Sequence, residues 1–444
     1  MATPSPDLPR LHRPVLVTGA DQHQGLAVIR GLGLAGVPVV AMGPSADALG
    51  FHSRFATWHR PYASPFAAPE EFIGDVLDAV RAYRPAVVIP VVESTLVLLD
   101  EARPALDPLT CLAAPPPAVL GLALDKARTL ALADTVGVPT PRTVRGSTAE
   151  ELLDRAATLP FPVAVKPRGQ RHHRATRHAF PFKARYAGDL AALRALLGAY
   201  RDDAGALLVQ SYVPGVGRCV SAVCRDGEPI AMVAYARERE FPLSGGVSVL
   251  RRTIPLDPTL AGYTTSLLRA LGWHGVAMVE FKYDPRTAAY TLMEVNGRFQ
   301  ASTALALDAG VNLPYLVAAL HAGWPVLGPS AVPTIGVSER WLRGDLLALR
   351  DAFRAGTAAR RLGPHLVLPP RMTALRDFLA GFRPGVHYDE FKAYDPAPGW
   401  IELRGVLRLA AEWGLGWVAD RVRQVLSAAA SIVASAPTHR SIRA

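Results

Sequence analysis

Four side chains in one short stretch have the types and spacing for joint chemistry: Glu280, Glu294, Asn296 and Arg298. Residues 276–283 and 289–295 carry the β-branched and aromatic types that fill a pleated surface, and Asp284-Pro285 between them is a turn signal. An antiparallel hairpin centred on Thr287 sets Glu280 directly opposite Glu294, with Cβ atoms roughly 5 Å apart. Alternation along the strand then brings Asn296, and after it Arg298, onto the same face. Facing carboxylates repel unless something positive lies over them, and an all-oxygen ligand set of this kind suits Mg²⁺ bridging nucleotide phosphates. A solvated hairpin face that happens to carry acids is the alternative. The presence of Asn296 and Arg298 in the same row favours a metal–phosphate site.

The elements that must position these residues follow from the apolar patterning. Residues 14–19 (PVLVTG), a polar turn, a helical run and VPVVAMG read as a βαβ beginning. Its loop lacks the G-x-G-x-x-G spacing, and Met42-Gly43 stands where an acidic ribose binder is expected, so a nicotinamide cofactor is disfavoured. Residues 86–92 (AVVIPVV) form another buried strand, ending at Glu93, which either faces a ligand or caps the next helix. Ala113 to Pro117 is a stiff linker, followed by a helix that carries Lys126. Residues 161–166 (FPVAVK) stop abruptly at Lys166 and Pro167, leaving an ammonium at a strand end. From 168 to 185 the chain gathers Arg168, Arg171, His172, His173, Arg174 and Arg177, either a basic lid over phosphates or a solvated loop. Residues 207–213 (LLVQSYV) are a further strand, and Asp226-Gly227 is a two-residue hairpin signal between 218–225 and 229–236. The stretch 237–252 reads as a loop rich in guanidinium and glycine. Its Arg237, Arg239 and Arg251 either clamp a carboxylate or pair with Glu238 and Glu240, and Gly245-Gly246 lets backbone approach a ligand.

Glu280 followed by Met293-Glu294-Val295-Asn296-Gly297-Arg298 resembles the metal-binding strands of the ATP-grasp superfamily, as in the ATP-grasp domains of carbamoyl-phosphate synthase and biotin carboxylase. Asp125-Lys126, the strand-end Lys166 and the segment Gln210, Ser211, Tyr212, Val213 match further family motifs in order, so the resemblance covers residues 14–330. It implies that Lys126 and Lys166 hold the phosphates of ATP and that residues 210–213 frame the base, with Gln210 where the family often has an acid. It further implies that Glu280, Glu294 and Asn296 hold Mg²⁺, with Mn²⁺ an acceptable substitute, and that Arg298 and Asn296 act on an acyl phosphate. Arg237, Arg239, Gly245, Gly246 and Arg251 fall where the family binds its substrate. The flap departs from the pattern, since only Gly169 stands where several glycines are usual.

The implied architecture is α/β: a small Rossmann-like domain over 1–115, then a two-lobed ATP-grasp module over 116–330 with its lid at about 160–215. A mainly helical, basic region at 331–444 follows, which the resemblance does not cover. The implied activity is ATP-dependent activation of a small-molecule carboxylate as an acyl phosphate, attacked by an amine or another nucleophile, with release of ADP and phosphate. A nucleotide-binding protein without turnover, or a nicotinamide-dependent oxidoreductase, are the rival readings.

Composition narrows the class. A net charge of +10 comes from Arg and Lys scattered along 444 residues, without the aromatic-interleaved basic motif of a nucleic-acid binder. Cys111, Cys219 and Cys224 have no metal-ligand spacing and fit a reducing cytoplasm. No apolar run reaches the ~20 residues of a membrane span. The last segment, 403–433, is amphipathic enough for peripheral membrane contact or a partner helix, including one in a homodimer, and packing within the chain is the alternative. Trp341, Trp400, Trp413 and Trp417 are expected to pack in a core or against the ATP-grasp domain.

Overall fold

The computed structural model describes residues 13–169, 182, 184–243, 245–325, 332–358 and 368–413. Most of the basic stretch, including Arg171, His172, His173, Arg174 and Arg177, lies outside them, as do Trp417 and the tail.

Strands β1 (Val15–Thr18), β2 (Val39–Gly43), β3 (Ala56–Pro61), β4 (Val87–Pro90) and β5 (Cys111–Leu112) form a parallel sheet in the order β3-β2-β1-β4-β5. Its inner strands are buried throughout because helices cover both faces, which is why no alternation shows in PVLVTG or AVVIPVV. The first helix, His23–Leu34, follows β1. Its Gly31 allows Asn312 and Pro314 to close in: a Cβ there would stand 2.8 Å from Pro314 Cγ, and Asn312 Nδ2 donates to the Gly31 carbonyl at 2.7 Å. Helix Leu313–Ala322 thereby shares one core with the first domain.

The lid lobe is a four-stranded antiparallel sheet of β6 (Thr143–Val144), β7 (Val163–Pro167), β8 (Arg185–Ala187) and β9 (Leu207–Ser211), ordered β6-β9-β7-β8. Helices Ala149–Ala156 and Leu190–Gly198 close over its own apolar core. This lobe starts before residue 160, because β6 is a two-residue strand too short to register as an apolar run.

The central sheet has seven strands, ordered β14-β13-β10-β11-β12-β15-β16. They are β10 (Val216–Arg225), β11 (Glu228–Phe241), β12 (Val247–Thr253), β13 (Gly275–Asp284), β14 (Ala289–Asn296), β15 (Ser338–Arg340) and β16 (Val386–Tyr388). Asp226 and Gly227 take φ of 50° and 89°, the left-handed pair that a two-residue hairpin needs. Residues 237–252 are not a loop. They are the ends of a second hairpin, β11–β12, and the alternating Arg237, Glu238, Arg239, Glu240 is a strand's period of two in charged residues.

The region beyond 330 is also not a separate helical unit, because β15 and β16 extend the same sheet through β12. Helices Leu342–Ala358, Arg371–Ala380 and Ala397–Glu412 pack on one another beside it. Trp341 packs at a tilt against His23 and Trp413 lies under the Arg350 guanidinium, whereas Trp400 is half exposed. Among the described residues no helix is long and apolar enough to cross a membrane.

One arginine locks the first domain to this late segment. Arg30 is buried and donates to Asp395 Oδ2 at 2.8 Å and to the carbonyls of Asp389, Glu390 and Asp395 at 2.8–2.9 Å. Arg30→Ala leaves Asp395 with only the Ser53 hydroxyl and the Arg54 amide. The expected loss is about 3 kcal/mol, seen as an earlier midpoint in urea unfolding at unchanged slope.

Candidate functional site

The hairpin β13–β14 pairs Glu280 with Glu294 and Met278 with Asn296, as the sequence alternation requires. Below that pair the register shifts: Phe281 faces Leu292, and Met293 is the extra residue. The bulge turns Phe281 and Leu292 into the core and leaves both glutamates on the open face.

Each acid has its own cation. Arg237 Nη1 lies 2.5 Å from Glu280 Oε1, Lys126 Nζ lies 3.5 Å from Glu294 Oε2, and Asn296 Nδ2 donates to Glu294 Oε1 at 3.0 Å. The like-charge repulsion is therefore partly met by the chain itself, a correction to the expectation that only an added cation could meet it. Burial still pushes the Glu280 carboxyl above its usual range, against Arg237 and with help from Glu294.

Two lysines are aimed at this face by local structure. Asp125 caps helix Lys126–Thr135 by accepting from the amides of Ala127 and Arg128, which sets Lys126 at its first position. The Lys126 amide donates to the Arg168 carbonyl at 2.9 Å and the Arg168 guanidinium pairs with Asp125 at 2.8 Å, so the helix start is stapled to the end of β7. Arg168 is thus engaged in a staple rather than in a basic lid. Lys166 sits on β7, its pKa pushed down to about 8 by burial, with Glu294 opposing and Lys126 adding to the shift.

A cavity of about 640 Å³ joins these groups. Its walls include Lys126 and Lys166 from one side, Gln210, Ser211, Tyr212 and Val213 from the end of β9, and Glu280, Glu294, Asn296 and Arg298 from the hairpin. Gln210 is buried and donates to Thr143 Oγ1 at 3.0 Å, while the amides of Ser211 and Tyr212 are engaged by Arg142 and Pro162. Arg237, Arg239, Gly245 and Gly246 line the same cavity. Arg239 is held by Asp345 at 2.5 and 2.8 Å. The two glycines serve the turn itself: Gly245 has φ of 107°, and a Cβ on Gly246 would lie 2.1 Å from the Phe241 carbonyl oxygen.

Arg251 is the exception. It is fully buried, donates to the carbonyls of Ser248 and Ala301, and pairs with Glu339 and Asp389. It lines neither cavity, so its placement as a substrate clamp is withdrawn. One lysine was missed: Lys282 lines the cavity and donates to the Gly215 carbonyl at 3.2 Å. The alternation that aligns Glu280 also points to it.

A second cavity, of about 960 Å³, shares Arg237, Gly246, Glu280, Glu294, Asn296 and Arg298 with the first. Its far wall is formed by residues 21–24 before and at the start of the first helix, and by Trp341, Arg343, Glu402, Arg404 and Arg408 from the late segment. Nothing in the local sequence around these residues marked them, since they meet only through the fold. On the shared wall Arg298 donates through Nη1 to the Phe299 carbonyl at 3.2 Å, while its buried Nε has no acceptor among the described residues. Two carboxylates and an amide carbonyl, flanked by lysines and an arginine with an orphan donor, can hold a hard cation and polyanionic oxygens together.

Comparison with known proteins bears on the fold. A family model described as "ATP-grasp in the biosynthetic pathway with Ter operon" matches residues 203–338, which include the glutamate pair, Asn296 and Arg298 but neither Lys126 nor Lys166. N5-carboxyaminoimidazole synthetase from Staphylococcus aureus superposes with a TM-score of 0.59 at 14% identity, covering 79% of this chain and 88% of that one. Biotin carboxylase from Campylobacter jejuni gives 0.57 at 13% identity, with 73% and 74% covered. The biotin carboxylase domain of Hydrogenobacter thermophilus 2-oxoglutarate carboxylase, in complex with MgADP, ADP and bicarbonate, gives 0.57 at 18%, with 73% of each chain covered. The chain is ATP-grasp-like and has the ATP-grasp fold.

Proposed function

We propose, from the ATP-grasp fold and its paired cavities, that the chain is an ATP-dependent ligase acting on a small-molecule carboxylate and an amine or other nucleophile. The observation that carries the reading is the shared wall: the six residues common to both cavities include both glutamates, Asn296 and Arg298. A nucleotide in the smaller cavity and an acid in the larger would meet there. Lys126 and Lys166 would neutralise the triphosphate, and the β9 end with Tyr212 would frame the base. Glu280, Glu294 and the Asn296 carbonyl, whose amide nitrogen already donates to Glu294, would hold Mg²⁺ to shield charge on the transferred phosphoryl group.

The chemistry needs no protein nucleophile. A carboxylate oxygen attacks the γ-phosphoryl group and ADP leaves; the nucleophile then adds to the acyl carbon and phosphate departs. Arg298, with its orphan Nε on the shared wall, stabilises the acyl phosphate by charge-assisted hydrogen bonding. Arg237 and Arg239 are tied to Glu280, Glu240 and Asp345, so they shape the wall and reach a substrate only by releasing an acid.

A panel of carboxylic acids crossed with amines, read out as ADP, tests this reading directly. Turnover is expected to need one acid and one nucleophile together with ATP and Mg²⁺. In that assay Arg298→Ala is expected to lower kcat roughly 100-fold with ATP affinity kept. ATP binding without ADP from any mixture would replace the ligase with a nucleotide-binding protein that does not turn over.

A further inference from the structure

On the far side of the larger cavity, side chains from two distant parts of the chain bring unanswered polar atoms together. His23 opens the first helix, Asp389 and Glu390 follow β16, and Glu402 lies on helix Ala397–Glu412. One ligand atom from each of His23, Asp389 and Glu390 lies within 4.8 Å of the others. Asp389 and Glu402 are 3% and 8% exposed and Glu390 is wholly buried, yet Asp389 Oδ2, Glu390 Oε2 and Glu402 Oε1 have no hydrogen-bond partner among the described residues. Glu390 Oε1 has only His23 Nδ1, at 2.5 Å.

The cations nearby are committed elsewhere. Arg251 takes the other oxygen of Asp389 and also Glu339, Lys392 takes Asp308 and Glu339, and Arg30 takes Asp395. Arg343 comes no closer than 3.9 Å to Glu402 Oε2. An unanswered buried carboxylate oxygen is costly at most sites, and two acids closing on His23 with Glu402 near them call for a cation or a proton. A proton on His23 answers Glu390 directly, and Asp389 and Glu402 only through space. Burial opposes that proton, the three acids together outweigh it and the imidazole is raised above its usual pKa, while Asp389 Oδ2 still lacks a hydrogen-bond partner among the described residues.

We propose that His23, Asp389 and Glu390, with Glu402 on the cavity side, bind one divalent transition cation of the Zn²⁺ or Mn²⁺ type, at a site separate from the glutamate pair of the hairpin. Imidazole mixed with carboxylates selects this class over Mg²⁺, which prefers oxygen alone. The surroundings have the character of an outer shell: Arg251 orients Asp389, Arg30 fixes the 389–390 backbone, and Trp341 packs at a tilt of 52° against the His23 ring at 4.6 Å between centroids. The ion would tie the first helix to the late segment and set the far wall of the larger cavity.

The test uses the full-length, tag-free chain, stripped with a chelator and free of nucleotide, titrated with Zn²⁺ and separately with Mn²⁺ by calorimetry, with metal counted after dialysis. One ion per chain is expected. His23→Gln and Glu390→Gln should each weaken binding about tenfold or more, and Glu402→Gln, at the cavity edge, gives a third variant if either misfolds by circular dichroism. Glu280→Gln should retain the full stoichiometry. No uptake by the wild-type chain, as for a bare His23–Glu390 ion pair, overturns the site, and so does wild-type affinity in both His23→Gln and Glu390→Gln. With no ATP present, either result leaves the ligase reading where it stood.

Discussion

Substitution of Glu294 by Gln is expected to cut substrate-dependent ADP release about 1000-fold or more while the folded chain melts within about 2 °C of the wild type. The change removes one charge and almost no volume. Gln can still accept from Asn296, and Lys126, already partly exposed, loses only a 3.5 Å ion pair. What disappears is one of two facing carboxylates, whose repulsion adds to burial in raising the Glu280 pKa, against the larger opposing pull of Arg237. Relieving like charge across a strand pair stabilises the nucleotide-free protein slightly, so activity and melting temperature should move in opposite directions or the latter not at all. Full ADP release by this variant would remove the hairpin from the metal assignment.

The second large effect concerns Lys166. Burial holds its pKa down to about 8, so in the nucleotide-free protein the ammonium is charged below pH 8 and increasingly neutral above it. ATP phosphates demand the charged form, and their own last ionisation, near pH 6, is complete by then. ATP affinity should therefore be flat up to about pH 8 and then fall by roughly tenfold per pH unit, with a proton taken up on binding. Lys166→Arg, which keeps its charge, should flatten the profile up to about pH 9.5, and Lys166→Met should weaken ATP at pH 7 by about 100-fold, the worth of two charge-assisted hydrogen bonds. Titration of a fluorescent ATP analogue across this range decides it. A wild-type affinity independent of pH would mean that the lysine does not face phosphate.

Much of the site is readable before folding because it is local. The facing glutamates follow from a turn and a period of two, and the same alternation carries Lys282, which the motif-matching passes over since it belongs to no motif. Lys126 and Lys166 announce themselves at a helix start and a strand end. The misplacements have a different cause. Arg251 resembles a ligand clamp until Glu339 and Asp389 are known to lie beside it, 88 and 138 residues further along. The Arg237–Glu240 run resembles a loop because strands are sought in apolar residues, whereas this one is the end of an interior strand written in ion pairs. The far wall of the larger cavity joins residue 21 to residue 412, and no window of sequence contains both.

The way the central sheet is finished limits how this protein can be rebuilt. The lid lobe encloses a core drawn entirely from residues 144–209, so it is a graftable cassette: a relative's lobe could be exchanged to test the proposed holding of the base. The central sheet offers no such seam. It is woven from strands on both sides of residue 330 and fastened to the first helix by Arg30, so any chimera that alters the larger cavity has to inherit the first domain and the stretch through Asp395 as a single heirloom.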